Sequence, residues 1–126
     1  KTDIRHFSVL GQGKEKYEAN FTTLDDWIST FPLHCVDLIK IDVEGFEYPV
    51  LQGASKTLHS FRPIVIFELN QLTLALSSRT ADEYLMFAKD HKYEVFGLEY
   101  GYKSELLAIE SVEQVDIISD LILFPI

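Results

Sequence analysis

Apolar and polar positions in this chain recur with two periods, near two and near 3.6, and the changes between them mark its elements. Ile4 to Leu10 alternates loosely and predicts a short strand, followed by a Gly11-Gln-Gly-Lys-Glu-Lys16 turn. The two glycines there match neither a Walker lysine spacing nor a full GxGxxG. Tyr17 to Thr22 predicts a second short strand. Leu24, Trp27, Ile28 and Phe31 then fall at i, i+3, i+4 and i+7, one apolar helical stripe. Thr23 is its N-cap, with Asp26 three residues on in a capping-box variant, and Pro32 stops it. The stripe assigns Trp27 to the core.

Val36 to Val43 is nearly continuous in apolar residues, the pattern of a strand covered on both faces. Period-two geometry puts Leu38, Lys40, Asp42 and Glu44 on one side and Ile39, Ile41 and Val43 on the other. Gly45 permits a sharp exit. Phe46, Val50, Ala54 and Leu58 follow at four-residue spacing, with Leu51 beside them, predicting one helix with Pro49 in its first turn. A short Ser60–Pro63 connection leads to a second apolar strand, Ile64 to Leu69, which closes in Glu68-Leu-Asn70.

Gln71 to Arg79 reads as loop or short helix. Thr80 and Glu83 form a capping box that opens a helix running to about His91, with Tyr84, Phe87, Ala88 and His91 on one face. His91 meets the negative end of the helix dipole and is structural in this reading. Tyr93–Leu98, Leu106–Ile109 and Leu121–Phe124 predict strands, with a short helix or turn within Ser111–Ser119. No repeat or low-complexity stretch interrupts the series.

The length of 126 residues fits one domain. Twenty acidic against 11 basic residues give a net charge of -9, a field that disfavours nucleic-acid phosphates and anionic membranes. The one cysteine, Cys35, excludes an internal disulfide. Beside Val36 and with no activating His or Asp arrangement, it reads as an inert small hydrophobe in or just under the core. No apolar run approaches the ~20 residues of a bilayer span, and no signal peptide is present. A cytoplasmic protein, or a fragment of one, is the expectation.

Strand–helix–strand–helix followed by closing strands is an α/β pattern. Five phrases occur in order: Thr23-Leu-Asp-Asp-Trp27, Asp37-Leu-Ile-Lys-Ile-Asp-Val-Glu-Gly-Phe-Glu47, Leu51-Gln-Gly-Ala54, Arg62-Pro-Ile-Val-Ile-Phe-Glu68 and Leu121-Ile-Leu-Phe-Pro125. Together they resemble the FkbM-type methyltransferases, S-adenosylmethionine-dependent enzymes. The most specific of them is the Lys40–Gly45 phrase with its trailing Glu47. The resemblance implies a mostly parallel sheet with helices on both faces and a C-terminal antiparallel hairpin. This is a Rossmann-like class I fold lacking its first strands. By it, 36–43 and 64–69 are the fourth and fifth strands, and the final strand inserts between fifth and sixth, giving the local order 4-5-7-6. The whole of 1–126 is then a single partial domain, with 1–22 as N-terminal strands of uncertain placement and 23–126 as the α/β core. The family's upstream Asp-x-Gly-Ala-Asn-x-Gly-type loop, which cradles the cofactor, has no counterpart here, so cofactor-binding residues stay unassigned. A fourth strand without its usual neighbour exposes an apolar edge, where residues 1–22 fold over or a second chain meets it in a homodimer.

In open parallel sheets, ligands gather beyond the carboxyl ends of strands. Asp42 and Glu44 with Glu68 and Asn70 would converge there. Methyl transfer to a hydroxyl needs alignment and a proton acceptor. The resemblance therefore implies Asp42 as base or acceptor-orienting group, Glu44 as a second acceptor contact, and Glu68 and Asn70 as holders of substrate hydroxyls. Lys40 would ion-pair with Asp42 and favour its ionised form. The acceptor class implied is a small sugar, glycolipid or polyketide-like hydroxyl compound. The competing structural reading makes Lys40 and Asp42 a mutually satisfied buried pair, and Glu44 and Glu47 partners of the next helix's positive end. Adjacent carboxylates can hold a hard cation such as magnesium, but no His stands at ligand spacing and no metal is assigned. The alternatives to an enzyme of this kind are a non-catalytic binding or assembly module derived from the fold and, more weakly, a hydrolase using paired carboxylates. No Gly-x-Ser-x-Gly elbow supports a serine mechanism.

Overall fold

Thr23 ends an extended lead-in and accepts the Asp26 N–H at 3.0 Å, so the first helix, α1 (Leu24–Thr30), begins where its cap predicts. The computed structural model describes residues 20–99, 105–117 and 120–126. The expected strand at 4–10 and the turn after it lie outside these. Of the expected strand at 17–22, residues 20–22 are described and are not strand.

The strands are β1 (Leu38–Ile41), β2 (Ile64–Glu68), β3 (Tyr93–Glu99), β4 (Glu105–Ala108) and β5 (Asp120–Pro125), in the spatial order β1-β2-β5-β3-β4. The helices are α2 (Glu47–Gln52), α3 (Ser55–Phe61), α4 (Gln71–Ser77) and α5 (Ala81–Asp90), with a 3₁₀ turn at Val112–Ile117. The last strand does insert between the strands at 64–68 and 93–99. The sheet is nevertheless mostly antiparallel, contrary to expectation: only β1 and β2 pair parallel, and the other three pairings are antiparallel. A parallel pair needs a crossover, and only α2–α3 between β1 and β2 joins two strands that lie side by side.

Helices on both faces are also not what the described residues form. Ile41, Val65, Phe67, Leu121 and Leu123 pair across the strands on one face and pack with Leu51, Leu58, Tyr84, Phe87 and Ala88 in a single core. The partly buried Leu24 of α1 and Leu74 of α4 pack against that same core. On the other face Leu38 is 54% exposed and Ile64 and Ile66 are only half-buried. The double-sided burial expected for β1 is therefore absent among the described residues.

The single helix expected after Gly45 is two. Ala54 N–H turns back to the Leu51 carbonyl at 3.1 Å, and the chain restarts at Ser55. The break is filled by α1. Asp25 N–H donates to the Gly53 carbonyl at 3.0 Å, and a Cβ on Gly53 would stand 3.1 Å from Thr23 Cβ. Beyond this end the described residues cover the stripe only in part: Ile28 is half-buried, but Trp27 is 43% exposed and Phe31 58%. The assignment of Trp27 to the core is thus corrected, as is that of Cys35, which is exposed in the loop before β1. At α5 the expected box is present, Glu83 accepting the Thr80 N–H at 2.9 Å. His91, at its C-cap, contacts the Phe87 carbonyl through Nδ1 at 2.9 Å, a structural role.

Candidate functional site

The register of the two parallel strands decides which acids meet. Ile41 lies beside Phe67, so the next step brings Asp42 level with Glu68 at the carboxyl ends of β1 and β2. Across the other side of β2, Glu68 pairs with Asp120, the first residue of β5. Glu44 joins them from the turn that leaves β1. Val43 accepts from Phe46 N–H at 3.3 Å, and the residues between, Glu44 and Gly45, have φ of 50° and 98°. Two positive φ values at the centre of a four-residue turn are the mark of type I′, a geometry that glycine and asparagine adopt most readily.

The structure brings together Asp42, Glu44 and Glu68: one carboxylate oxygen of each lies within 4.8 Å of the others. Strand alternation alone does not account for this, because β1 ends at Ile41 and Glu44 arrives by the turn. Asp42 and Glu44 are exposed and Glu68 is half-buried. Burial, then the charges of Glu44, Asp42 and Asp120, push the Glu68 carboxyl above its ordinary value, while a hydrogen bond from Asn70 pulls the other way. Asn70 donates from Nδ2 to Glu68 Oε1 at 2.6 Å, and its Oδ1 accepts the Thr73 N–H at 2.9 Å, capping α4. Its side chain thus ties Glu68 to the start of a helix.

Lys40 Nζ stands 3.4 Å from Asp42 Oδ2, with side chains 66% and 54% exposed. This is a solvated pair of small energetic weight, not the buried pair that the structural reading supposed. Asp120 was not singled out from sequence, because only the insertion of β5 beside β2 brings it to Glu68.

Three clustered carboxylates repel one another, and the arrangement is eased by a proton, a hydroxyl donor or a hard cation. Asp42, Glu44 and Glu68 are the residues that could offer oxygens to such a cation. For a nucleoside-type cofactor the fit among the described residues is poor. Gly45 and Gly53 face protein, a Cβ on Gly45 lying 2.8 Å from Leu76 Cβ, so neither opens a backbone cradle. Two surface cavities of about 470 and 360 Å³ lie by Arg62 and His91 and by Tyr93 and Phe96, and neither includes the acids. The first adjoins the chain entering β2, the opposite end of that strand from Glu68. No described helix is long and apolar enough to cross a membrane.

Neither a curated protein nor a solved structure matches the chain. The model of the methyltransferase FkbM domain does match, over residues 2–110, and with the α/β fold and the Lys40–Glu47 turn now placed, the chain belongs to that family.

Proposed function

We propose that the described residues form the acceptor side of an S-adenosylmethionine-dependent methyltransferase that methylates a hydroxyl of a small sugar-like or polyketide-like molecule. The observation that carries the reading is the meeting of Asp42, Glu44 and Glu68 oxygens within 4.8 Å at adjoining strand ends, in a chain of the FkbM family. A hydroxyl placed among them has carboxylates to point its proton at. Glu68, whose proton affinity is raised, is suited to take that proton. Asp42 and Glu44 then orient the acceptor, with Lys40 near Asp42 and Asn70 fixing Glu68.

S-adenosylmethionine, when bound, supplies the methyl group. The described residues offer it no cradle, and no step is assigned to them on its behalf. That same lack favours the second reading, a binding or assembly module derived from the fold. A second copy adding to the edge of β1, which no described strand pairs, belongs to either reading, and sedimentation would read it as a dimer.

Calorimetry with S-adenosylhomocysteine separates the two. The enzyme reading expects binding by this chain or by the same chain extended upstream. It also expects Asp42→Asn and Glu68→Gln to slow methyl transfer to a hydroxyl acceptor by about 10²–10⁴-fold with cofactor affinity unchanged. An upstream-extended protein that binds no S-adenosylhomocysteine overturns it in favour of the module.

A further inference from the structure

Glu47 is completely buried, yet only one of its two carboxylate oxygens is satisfied. Oε1 accepts the N–H groups of Gly45 at 3.1 Å and Val43 at 3.3 Å, the two residues that flank Glu44. Oε2 has no hydrogen-bond partner. Tyr84 Oη is buried close by, and burial, then the charge of Glu47, push its hydroxyl pKa up against the pull of the Ser77 side chain and the Tyr48 backbone. A buried acid this poorly satisfied is costly, and an apolar residue of like size would pack there more cheaply. Stability alone does not explain it.

The turn that it holds does. Glu44 has a φ of 50°, a left-handed conformation that costs a non-glycine residue energy. Gly45, at φ 98°, sits so close to α4 that any side chain would strike Leu76 or the Thr73 carbonyl. That helix is capped by Asn70, the residue holding Glu68. The turn is therefore gripped by Glu47 on one side and by α4 on the other, and the two halves of the acidic cluster are set against each other through it.

We propose that Glu47 is a positioning residue: its buried carboxylate anchors the Val43–Phe46 turn and so holds Glu44 in the left-handed conformation that delivers its carboxylate to Asp42 and Glu68. The proposal takes from the functional reading only the idea that the cluster is the working site; the anchor itself is tested independently of any cofactor.

The test uses the ¹⁵N,¹³C-labelled full chain and Glu47→Gln and Glu47→Met variants. Gln keeps an acceptor for both N–H groups, whereas Met fills the space with none. The readouts are the three-bond HN–Hα coupling of Glu44, which reports its φ, and hydrogen exchange of the Val43 and Gly45 amides. In Glu47→Met the Glu44 coupling should leave its wild-type value, and the two amides should exchange at least about tenfold faster, beyond any change at Ile39 and Val65. Glu47→Gln should keep both readouts at wild type, whereas a purely space-filling role would keep them in Glu47→Met as well. Wild-type behaviour in Glu47→Met, or a folded Glu47→Gln that loses the coupling and protection, overturns the proposal. Should Glu47→Met fail to fold, Glu47→Leu, which likewise fills the space without an acceptor, takes its place under the same two readouts. A failure to bind S-adenosylhomocysteine would count against the methyltransferase reading and leave this result intact.

Discussion

Asp25, in the first turn of α1, caps a different helix: its Oδ1 accepts both the N–H and the hydroxyl of Thr57 in α3, at 2.8 and 2.7 Å. Its Oδ2 accepts the Lys56 N–H at 2.9 Å. One carboxylate thus satisfies two of the four N–H groups that a helix start leaves open, and it does so 31 and 32 residues away in sequence. Thr23 and Asp25 divide the work, the first capping α1 and the second α3. Asp25→Ala should cost about 1.5–3 kcal/mol, as expected for charge-assisted bonds to partly buried donors. Asp25→Asn, which keeps one acceptor, should cost less. Urea unfolding of the two variants measures the difference.

Arg62 performs the equivalent task at the other end of α3. It takes a left-handed φ of 54° at the C-cap and donates to the carbonyls of His91, Lys92 and Ile126. Its guanidinium also lies 4.4 Å from the centre of the Tyr93 ring. It therefore joins the end of α3, the α5–β3 corner and the end of β5. Arg62→Ala should destabilise by about 2–3 kcal/mol, from lost charged hydrogen bonds and the cation–π contact. Arg62→Lys should recover under half of that, because one ammonium cannot copy the planar fork. Thermal unfolding checks both.

The acidic cluster predicts an unusual pH response. Glu68 holds its proton more tightly in the folded chain than its ordinary value of 4.5. The folded state therefore binds more protons than the unfolded state just above that value, and the contribution of Glu68 to stability falls as pH rises through the window. Glu83 acts in the opposite sense. Its carboxyl is lowered first by the Thr80 N–H and then by Arg79, so its contribution is present above 4.5 and lost as pH falls through its folded value. Glu68→Gln should accordingly raise stability at pH 7 by roughly 0.5–1 kcal/mol, the scale of like charges opposed across strands, and leave it unchanged near pH 3. Urea midpoints at the two pH values decide; equal gains at both would refute the electrostatic origin.

Much of this fold could be read from local pattern. Thr23, the Thr80–Glu83 box and Pro49 each act within a few residues of themselves, and each sits where the sequence places it. The apolar runs at 36–43 and 64–69 declare themselves as strands for the same reason, and the strands formed within them are the shorter 38–41 and 64–68. What was illegible depends on contacts distant in sequence. The break at Gly53–Ala54 exists because α1 docks there, the exposure of Trp27 because the described residues leave that side of the helix open, and the antiparallel majority because β5 returns between β2 and β3. At the site, Asp42 and Glu68 follow from counting along two strands. Asp120 needs the topology, and the delivery of Glu44 needs a turn whose strain no periodicity reveals.

Trp27 gives that lesson a measurement. It stacks at a tilt on Phe31, ring centres 5.6 Å apart, on a surface that the described residues leave open. Phe67, in β2, is 1% exposed and stacks on Tyr84 at 5.6 Å. Truncating the larger ring should therefore matter less. Trp27→Ala should cost below about 1 kcal/mol and Phe67→Ala about 3–5 kcal/mol.

Gly45 offers the sharpest check on the turn. Its φ of 98° is closed to ordinary side chains, and a Cβ would approach Leu76 Cβ to 2.8 Å and the Thr73 carbonyl to 3.3 Å. Both penalties fall on Gly45→Ala, the backbone strain and the clash with α4, so it should cost about 2–4 kcal/mol. Shrinking the neighbour separates them. Because the clashing atom is itself a Cβ, only Leu76→Gly removes it, and that change carries its own helix-interior cost of about 1 kcal/mol. In a double-mutant cycle, Leu76→Gly should return the steric part of the Gly45→Ala loss and none of the conformational part, giving a coupling of about 1–2 kcal/mol. A coupling near zero would mean that α4 does not bear on the turn, and that the left-handed backbone alone demands glycine here.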